Sequence, residues 1–263
     1  MMDFDRLTRL KIKSRSTLSA GYVGGKKFFI KKYAIRKGSE KEDLLKVRCE
    51  QLCYRNLGKY LNLPKLAEAD YKNRKLVLDF VKFRNVRASR KTIDDIIDFQ
   101  SRIMRHADAS FLPKTTYAYY ETTLRTLAAE LQDKEIAKAS RRIFEQFEKN
   151  RQSIAKSAKY FSHGDMRLEN VKYLNNKLTM IDLEHSRKDN LMCDLACLYV
   201  DLRNKKPLTD YLMSKAAGKS GFDKRLFDLM VRRRCIEVLH ALKGHKDSSY
   251  YRMAKSLLMS PNL

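Results

Sequence analysis

Tryptophan is absent from the sequence, and glycine and proline are scarce, with nine and four residues among 263. So few turn-forming residues exclude a collagen-like chain and a turn-dense all-β architecture. Long apolar runs are absent too, because runs such as residues 76–78 are interrupted by charge far short of the roughly 20 residues of a membrane span. Residues 1–6 carry charges where a signal peptide would be apolar, so we expect a cytoplasmic protein.

Cysteine is limited to five residues, an odd number, scattered along the chain. Cys49 and Cys53, and likewise Cys193 and Cys197, have the spacing that places both sulfurs on one helix face, as a metal site would require. Structural zinc pairs usually lie on tight turns, however, and neither pair is flanked by glycine or proline. We therefore interpret the cysteines as small apolar core residues in a reducing compartment.

Acidic residues are outnumbered, since 31 aspartates and glutamates stand against 56 lysines and arginines, a formal net charge of +25. With 43% hydrophobic residues the chain can still bury a sizeable core, so we expect it to fold. The charge favours anionic partners such as nucleotides, phosphorylated sugars, nucleic acid or an acidic membrane surface. A basic proteome or a solvated surface explains the charge equally well. At least one arginine of 232–234 could line a site for an acidic substrate.

The first third of the chain has the pattern of a small sheet with one helix. Segments rich in β-branched and aromatic residues predict strands near residues 10–12, 17–23, 26–33, 66–71 and 75–81. Gly24 and Gly25 mark a tight hairpin turn, and an apolar stripe predicts a helix over 44–57 that closes near Gly58. The predicted order is therefore β-β-β-α-β-β.

Helical periodicity dominates from Thr92 onward. Short β-like runs return around Asn175 and Asn176, which predict a hairpin turn. We therefore predict an α+β protein with two lobes: a nucleotide-binding sheet and helix over residues 1–82, and a mainly helical lobe over residues 83–263.

The most informative segment runs from His163 to Val171 and continues at Ile181 to Glu184. In it, Asp165, Asn170 and Asp182 lie five and then twelve residues apart, around the predicted hairpin. Such a set suits a loop in which one carboxylate faces a substrate hydroxyl, while an amide oxygen and the second carboxylate hold a divalent cation.

These residues resemble the catalytic and metal-binding motifs of the aminoglycoside phosphotransferase and choline kinase-like family, relatives of the protein kinases. The resemblance continues at Asp194 in Cys-Asp-Leu-Ala, and it extends back to the strand motif 28–31 and to Glu50 in the next helix. It covers about residues 10–200. The resemblance implies a bilobal, protein-kinase-like fold with a small antiparallel-sheet N-lobe and a mainly helical C-lobe.

The resemblance also implies roles for individual residues. Asp165 would accept or orient the proton of the attacking hydroxyl, whereas Asn170 and Asp182 would hold Mg²⁺. Lys31 would contact the α- and β-phosphates of ATP, with Glu50 holding it in place. Further expected site residues are Ser14 and Ser16 beside the nucleotide and, in supporting roles, His163, Glu184 and Asp194.

Two departures separate the chain from ordinary protein kinases. The segment 13–17 lacks the Gly-x-Gly-x-x-Gly pattern, and Leu183 and Glu184 replace the Phe-Gly that would follow Asp182. Lys32 is an alternative strand lysine, but Lys31 fits the Val-Ala-Ile-Lys pattern better.

The implied function is ATP- and Mg²⁺-dependent phosphoryl transfer to a hydroxyl of a small molecule or glycan. Amino alcohols, aminoglycosides, sugars and a lipopolysaccharide core sugar are compatible acceptors, and the positive charge favours an anionic or membrane-associated one. Peripheral contact with an acidic membrane is a further expectation.

Two other functions remain open. One is a catalytically weak kinase-fold protein that binds nucleotide or nucleic acid, which the intact set of Asp165, Asn170 and Asp182 disfavours. The other is a protein kinase, which the 11 residues between Asp182 and Asp194 leave little room to accommodate, since a peptide-docking segment would have to lie there.

Overall fold

The computed structural model describes residues 2, 4–12, 16–35, 37–219 and 221–260. They form two compact units that are interleaved in sequence. The N-terminal unit comprises Met1–Val86, Arg105–Ala107 and Glu169–Ser186. The helical unit comprises Arg87–Met104, Asp108–Leu168 and Arg187–Leu263.

An antiparallel sheet forms the base of the N-terminal unit. Its strands are β1 (Arg6–Ile12), β2 (Ser16–Val23), β3 (Lys26–Tyr33), β4 (Leu66–Asp70) and β5 (Lys75–Asp79). They lie in the order β1-β2-β3-β5-β4. The turn between β2 and β3 places Gly24 at φ 55° and Gly25 at φ 75°, values that glycine adopts without steric cost. The predicted hairpin is confirmed.

Helix α1 (Glu40–Leu61) lies between β3 and β4 in sequence and confirms the predicted element order. It runs past Gly58, so the expected end there is wrong. Asn62 ends the helix instead, in a left-handed conformation at φ 52°, and donates its backbone N–H to the Gly58 carbonyl. Asparagine tolerates this conformation better than most residues and can replace glycine as a C-terminal cap.

The remaining strands are short. They are β6 (Arg84–Asn85), β7 (Tyr160–Ser162), β8 (Val171–Leu174), β9 (Lys177–Met180) and β10 (Arg187–Asp189). β8 and β9 form the predicted hairpin, with Asn175 and Asn176 both at positive φ. β6 pairs with β8, and this pairing groups residues 169–186 with the N-terminal unit, although they lie far along the chain.

Helices build the second unit, although the last two residues of the first helix, Arg105 and His106, belong to the N-terminal unit. They are α2 (Arg90–His106), α3 (Tyr117–Glu130), α4 (Lys134–Lys149), α5 (Arg151–Ser157), α6 (Leu191–Leu202), α7 (Lys206–Ala217), α8 (Lys224–Ala241) and α9 (Ser249–Met259). Helix α8 packs against α3, α4, α6 and α9, and most of α6 is buried. The sheet unit and the helical unit together confirm the predicted α+β class. None of the helices in the described part of the chain combines the length and apolar character of a membrane span.

Candidate active site

The predicted site residues fall into two groups, one in each unit. In the N-terminal unit, Lys31 on β3 is surrounded by carboxylates, and its side chain is only 4% exposed. Its Nζ lies 2.7 Å from Glu50 Oε2, 3.1 Å from Asp182 Oδ1 and 3.4 Å from Glu184 Oε2. The fold thus brings together side chains from three segments that are distant in sequence.

The charged side chains of this group shift one another's pKa values. Burial alone would lower the pKa of Lys31, but Glu50, Asp182 and Glu184 together raise it above its ordinary value. Burial raises the pKa of Glu50, and the Lys31 ammonium opposes that rise. Lys31 is therefore fully charged at neutral pH. A single ammonium among three carboxylates leaves room for a further cation.

Tyr33 is a member of this group that sequence reasoning missed. Its hydroxyl donates a hydrogen bond to Glu50 Oε2 over 2.6 Å. Burial and Glu50 raise the pKa of Tyr33 well above its ordinary value, so the hydroxyl keeps its proton and remains a donor. The sequence signal that could have identified Tyr33 is its position two residues after Lys31, because alternate side chains of a strand lie on the same face. Lys32, between them, is exposed.

A cavity of about 240 Å³ adjoins Lys31 in the same unit. Lys31, Glu50, Asp79 and Asp182 contribute charged groups to its lining. The other lining residues are largely apolar: Leu10, Leu18, Phe29, Tyr54, Pro64, Leu76, Leu78, Phe80, Val81, Phe83 and Ile181. An apolar cavity with a few converging charged groups is the usual form of a cofactor site.

Asn170 and Asp182 lie at the two ends of the β8–β9 hairpin. Asn170 is 5% exposed. Its backbone carbonyl accepts a hydrogen bond from the Ile181 N–H over 2.9 Å, which connects the start of the hairpin to its end. Asp182 follows directly in a left-handed conformation, φ 58° and ψ 56°. Aspartate tolerates this conformation better than most residues.

The oxygen donors of this hairpin suit Mg²⁺. Asn170, Asp182 and Glu184 offer the amide and carboxylate oxygens that hard cations prefer. Within the described residues, no cluster of three or more His, Cys, Asp or Glu side chains forms a ready-made metal cage. Mg²⁺ usually requires only one or two carboxylates together with substrate phosphates and water. The donor set and the excess of carboxylates around Lys31 therefore fit this ion.

In the helical unit, Asp165 is held by two arginines. Arg234 Nη2 on α8 lies 2.5 Å from Asp165 Oδ1, and Arg167 Nη2 lies 3.0 Å from Oδ2. Each carboxylate oxygen thus accepts a charge-assisted hydrogen bond. Sequence reasoning missed Arg167, although it lies only two positions after Asp165. It expected at least one arginine of 232–234 to line a site for an acidic substrate, but it did not predict the contact between Arg234 and Asp165.

The loop that carries Asp165 is fixed by α6. Asp194 is 3% exposed and accepts hydrogen bonds from Ser162 Oγ, from the His163 N–H and from the Gly164 N–H, all within 3.0 Å. Gly164 has φ 77°, which a side chain would oppose. His163 Nδ1 accepts the Asp165 N–H over 3.3 Å. Two of the three expected supporting residues, His163 and Asp194, therefore contact the backbone of this loop, whereas the third, Glu184, lies beside Lys31.

Ser14 lies outside the described residues. Ser16 is buried at the start of β2, in register with Tyr33 on β3. A role for either serine toward a nucleotide stays a prediction.

Comparison with known protein families identifies the family of this chain. The family model described as the phosphotransferase enzyme family matches residues 61–227, more than half of the chain. The chain belongs to this phosphotransferase family. This result confirms the resemblance stated from the motifs, and it confirms the prediction of an enzyme of the small-molecule kinase type.

Solved structures share the fold of this phosphotransferase at low identity. Choline kinase LicA from Streptococcus pneumoniae is 14% identical, with a TM-score of 0.73 over 98% of this chain and 94% of that one. A thermostable mutant of aminoglycoside phosphotransferase APH(4)-Ia, in ternary complex with AMP-PNP and hygromycin B, is 12% identical, with a TM-score of 0.70 over 97% and 92%. Plasmodium vivax ethanolamine kinase is 12% identical, with a TM-score of 0.67 over 99% and 84%.

These similarities confirm the protein-kinase-like fold of the phosphotransferase. A search of curated proteins gave no match.

Proposed function

We propose that this phosphotransferase moves the γ-phosphate of ATP, with Mg²⁺ as cofactor, to a hydroxyl group of a small molecule or glycan. In this reaction the bond from the γ-phosphorus to the β,γ-bridging oxygen breaks, and a bond to the acceptor oxygen forms. ADP leaves and the hydroxyl proton is released. The observation that carries the proposal is Lys31, buried against Glu50 and Asp182 beside an apolar cavity.

The N-terminal unit would bind the nucleotide. Lys31 would contact the α- and β-phosphates. Glu50 holds its ammonium in position, and the Tyr33 hydroxyl in turn donates to Glu50. The apolar cavity lining would accept the base. Bound Mg²⁺, held by Asn170 and Asp182, would neutralise charge on the β- and γ-phosphates. The complexes of similar structures with AMP-PNP and with ADP support this use of the site.

Asp165 would orient the acceptor hydroxyl. Phosphoryl transfer has a loose transition state in most accounts, so alignment and charge neutralisation contribute more than a strong base. The buried brace formed by Asp194 and His163 suits that task, because it fixes the backbone on both sides of Gly164. Amino alcohols, aminoglycosides, sugars and lipopolysaccharide core sugars are the acceptor classes that the proposal covers.

The test is transfer from γ-labelled Mg-ATP to a panel of aminoglycosides, amino alcohols, sugars and lipopolysaccharide fragments, with slow hydrolysis by water followed in parallel. We expect transfer to at least one class, loss of transfer on chelation of Mg²⁺, and a reduction of about 100-fold or more in Asp165→Asn.

The matched control is Asp210→Asn. Asp210 lies on the exposed face of α7, paired with Lys206, and the substitution makes the same change of charge. We expect it to retain wild-type transfer. If ATP binds tightly but its γ-phosphate is neither transferred nor hydrolysed, the proposal is wrong and the protein is a nucleotide-binding protein.

A further inference from the structure

Three leucines of helix α1 are not part of the buried side of that helix. Leu44, Leu45 and Leu52 belong to the apolar pattern that predicts α1, but none of them is among its buried residues. Leu45 is 46% exposed. The buried side is formed by other residues, which include Val47 and Leu57. Packing in the core of the N-terminal unit therefore accounts for only part of the apolar pattern of α1.

Basic residues alternate with two of these leucines along one side of the helix. The six positions follow one another in steps of four and three residues: Lys41, Leu45, Arg48, Leu52, Arg55 and Lys59. At 3.6 residues per turn they fall within about 80° of the helix circumference and extend over about 27 Å. All four basic residues are exposed. We refer to these six residues as the outer face of α1.

The outer face contains no carboxylate. Among the acidic residues of α1, Asp43 and Glu50 are buried. Glu40 and Glu42 lie in the first turn, and Glu42 pairs with Lys46. The outer face therefore presents four positive charges to solvent along its length, and an anionic partner complements it.

Two kinds of partner fit the outer face poorly. A second copy of the chain would bring the same four cations against it, and each chain carries a net charge of +25. A partner helix would place Arg48 and Arg55 in the seam between the two helices. Apolar residues are preferred in such a seam, and a charged group loses its water there.

Lipid headgroups suit this mixture of cations and leucines better. The headgroup layer is hydrated, so lysine and arginine keep water around their charges while neighbouring apolar side chains reach the acyl boundary. We propose that the outer face of α1 binds the surface of an anionic membrane, with its cations at lipid phosphates and Leu45 inserted between them. Arg55 also donates a hydrogen bond to the Ala69 carbonyl over 3.1 Å, which holds its guanidinium group at the surface. This inference does not depend on the proposed function.

Co-sedimentation of the full chain with lipid vesicles tests the role of the cations. The vesicles contain phosphatidylcholine alone, or phosphatidylcholine and phosphatidylglycerol in equal parts. We expect the wild type to bind the anionic vesicles much more tightly than the neutral ones. Arg48→Gln combined with Lys59→Gln should weaken binding to the anionic vesicles by about tenfold or more, because each cation near such a surface contributes about a factor of five.

The matched control is Lys138→Gln combined with Arg141→Gln. Both residues lie exposed on α4, and the pair removes one lysine and one arginine, as the α1 variant does. We expect this control to bind anionic vesicles within about threefold of the wild type. Thermal unfolding of both variants checks that the fold persists. An equal loss of binding in the two variants would assign the binding to net charge and overturn the role of the outer face.

The absence of tryptophan from the chain allows insertion to be followed directly. Leu45→Trp introduces a single indole on the outer face, and its fluorescence should shift to shorter wavelength when anionic vesicles are added. Met259→Trp is the control, because Met259 is 38% exposed on α9, and its emission should not shift. Unchanged emission of Leu45→Trp on bound vesicles would contradict insertion at this position.

No binding of the wild type to anionic vesicles would also overturn the membrane site. Polyuridylate RNA provides the remaining comparison. If the protein binds this RNA but not the vesicles, and the Arg48 and Lys59 variant loses the RNA, the outer face is a nucleic-acid site instead. These outcomes leave the proposed function unaffected, because that function is tested by phosphate transfer in solution.

Discussion

Lys31 lies buried among Glu50, Asp182 and Glu184, and the hydroxyl of Tyr33 completes the shell around Glu50. Burial raises the pKa of Glu50, and the Lys31 ammonium is the main influence that lowers it. The stability of this part of the unit therefore depends on the cation. The positive charge of Lys31 therefore stabilises the fold in addition to making the proposed contact with phosphate.

Replacing Lys31 should show both roles. Lys31→Met leaves a buried carboxylate unpaired, and we expect the free energy of unfolding to fall by about 3–5 kcal/mol. Transfer from ATP should fall by about 100-fold or more, because the phosphate contact is lost as well. Urea unfolding and the labelled-ATP assay measure the two effects.

Lys32→Met is the control for this prediction. Lys32 is the next residue on β3 and is exposed, so its loss should change stability by no more than about 0.5 kcal/mol. Equal behaviour of the two variants would contradict the assignment of Lys31.

At the residue scale, the sequence predicted those positions that lie in local motifs. Asp165, Asn170 and Asp182 are recognisable from spacing alone, whereas Tyr33 needed the strand face to be known. Arg234 lies 69 positions from Asp165. No local sequence pattern predicts such a contact, because the contact depends on how α8 packs against the loop that carries Asp165.

Helix α8 holds its buried charges through helical spacing. Glu237 lies three and four residues after Arg234 and Arg233, which places all three side chains on one side. Burial would raise the pKa of Glu237, but Arg233, Arg234 and Arg187 lower it below its ordinary value of 4.5. Ionised Glu237 is thus stabilised by folding.

This shift predicts a pH dependence. A carboxyl group whose pKa is lower in the folded state contributes stability above its unfolded pKa, and loses it as pH falls through the folded value. We expect Glu237→Gln to be less stable than the wild type at pH 7, and the gap to narrow below about pH 4.5. Urea unfolding between about pH 7 and pH 3 measures it. Glu145→Gln, at an exposed position of α4, should show no such gap, and a gap for Glu237→Gln that is constant with pH would refute the assignment.

Replacing glycine by alanine should change stability in opposite directions at Gly21 in β2 and at Gly58 in α1. A Cβ atom added at Gly21 would meet the ring of Phe4 and would lie 2.8 Å from Ile30 Cδ1, whereas one added at Gly58 would meet nothing within 4 Å. We expect Gly21→Ala to destabilise the protein by about 1–3 kcal/mol, and Gly58→Ala to stabilise it by up to about 1 kcal/mol through helix propensity. Thermal unfolding of the pair checks this, and shifts of the same sign would contradict it.

Elements were predictable wherever a turn residue or a long period marked them. The hairpins at Gly24 and Asn175 have such marks, and α2 has a regular apolar stripe. The end of α1 was misplaced because Gly58 is compatible with a helix interior and Asn62 provides the cap. Strands of three residues, such as β7 and β10, are too short to show a period.

At the scale of the whole molecule, the chain folds into units that do not follow sequence order. Residues 169–186 join the N-terminal unit because β8 pairs with β6, and because the turn at Leu183–His185 contacts α1. Pairing between distant segments is a tertiary property, and the sequence pattern alone does not reveal it. The consequence is that Asn170, Asp182 and Glu184 share a unit with Lys31.

The net charge of +25 gives a prediction for the whole chain. Surface ion pairs contribute only about 0–1 kcal/mol each, whereas the excess of like charge opposes the compact state throughout. We therefore expect the urea midpoint to rise when NaCl is raised from about 25 mM to about 250 mM, because salt shortens the range of this repulsion. A midpoint that falls would mean that attractive pairs dominate.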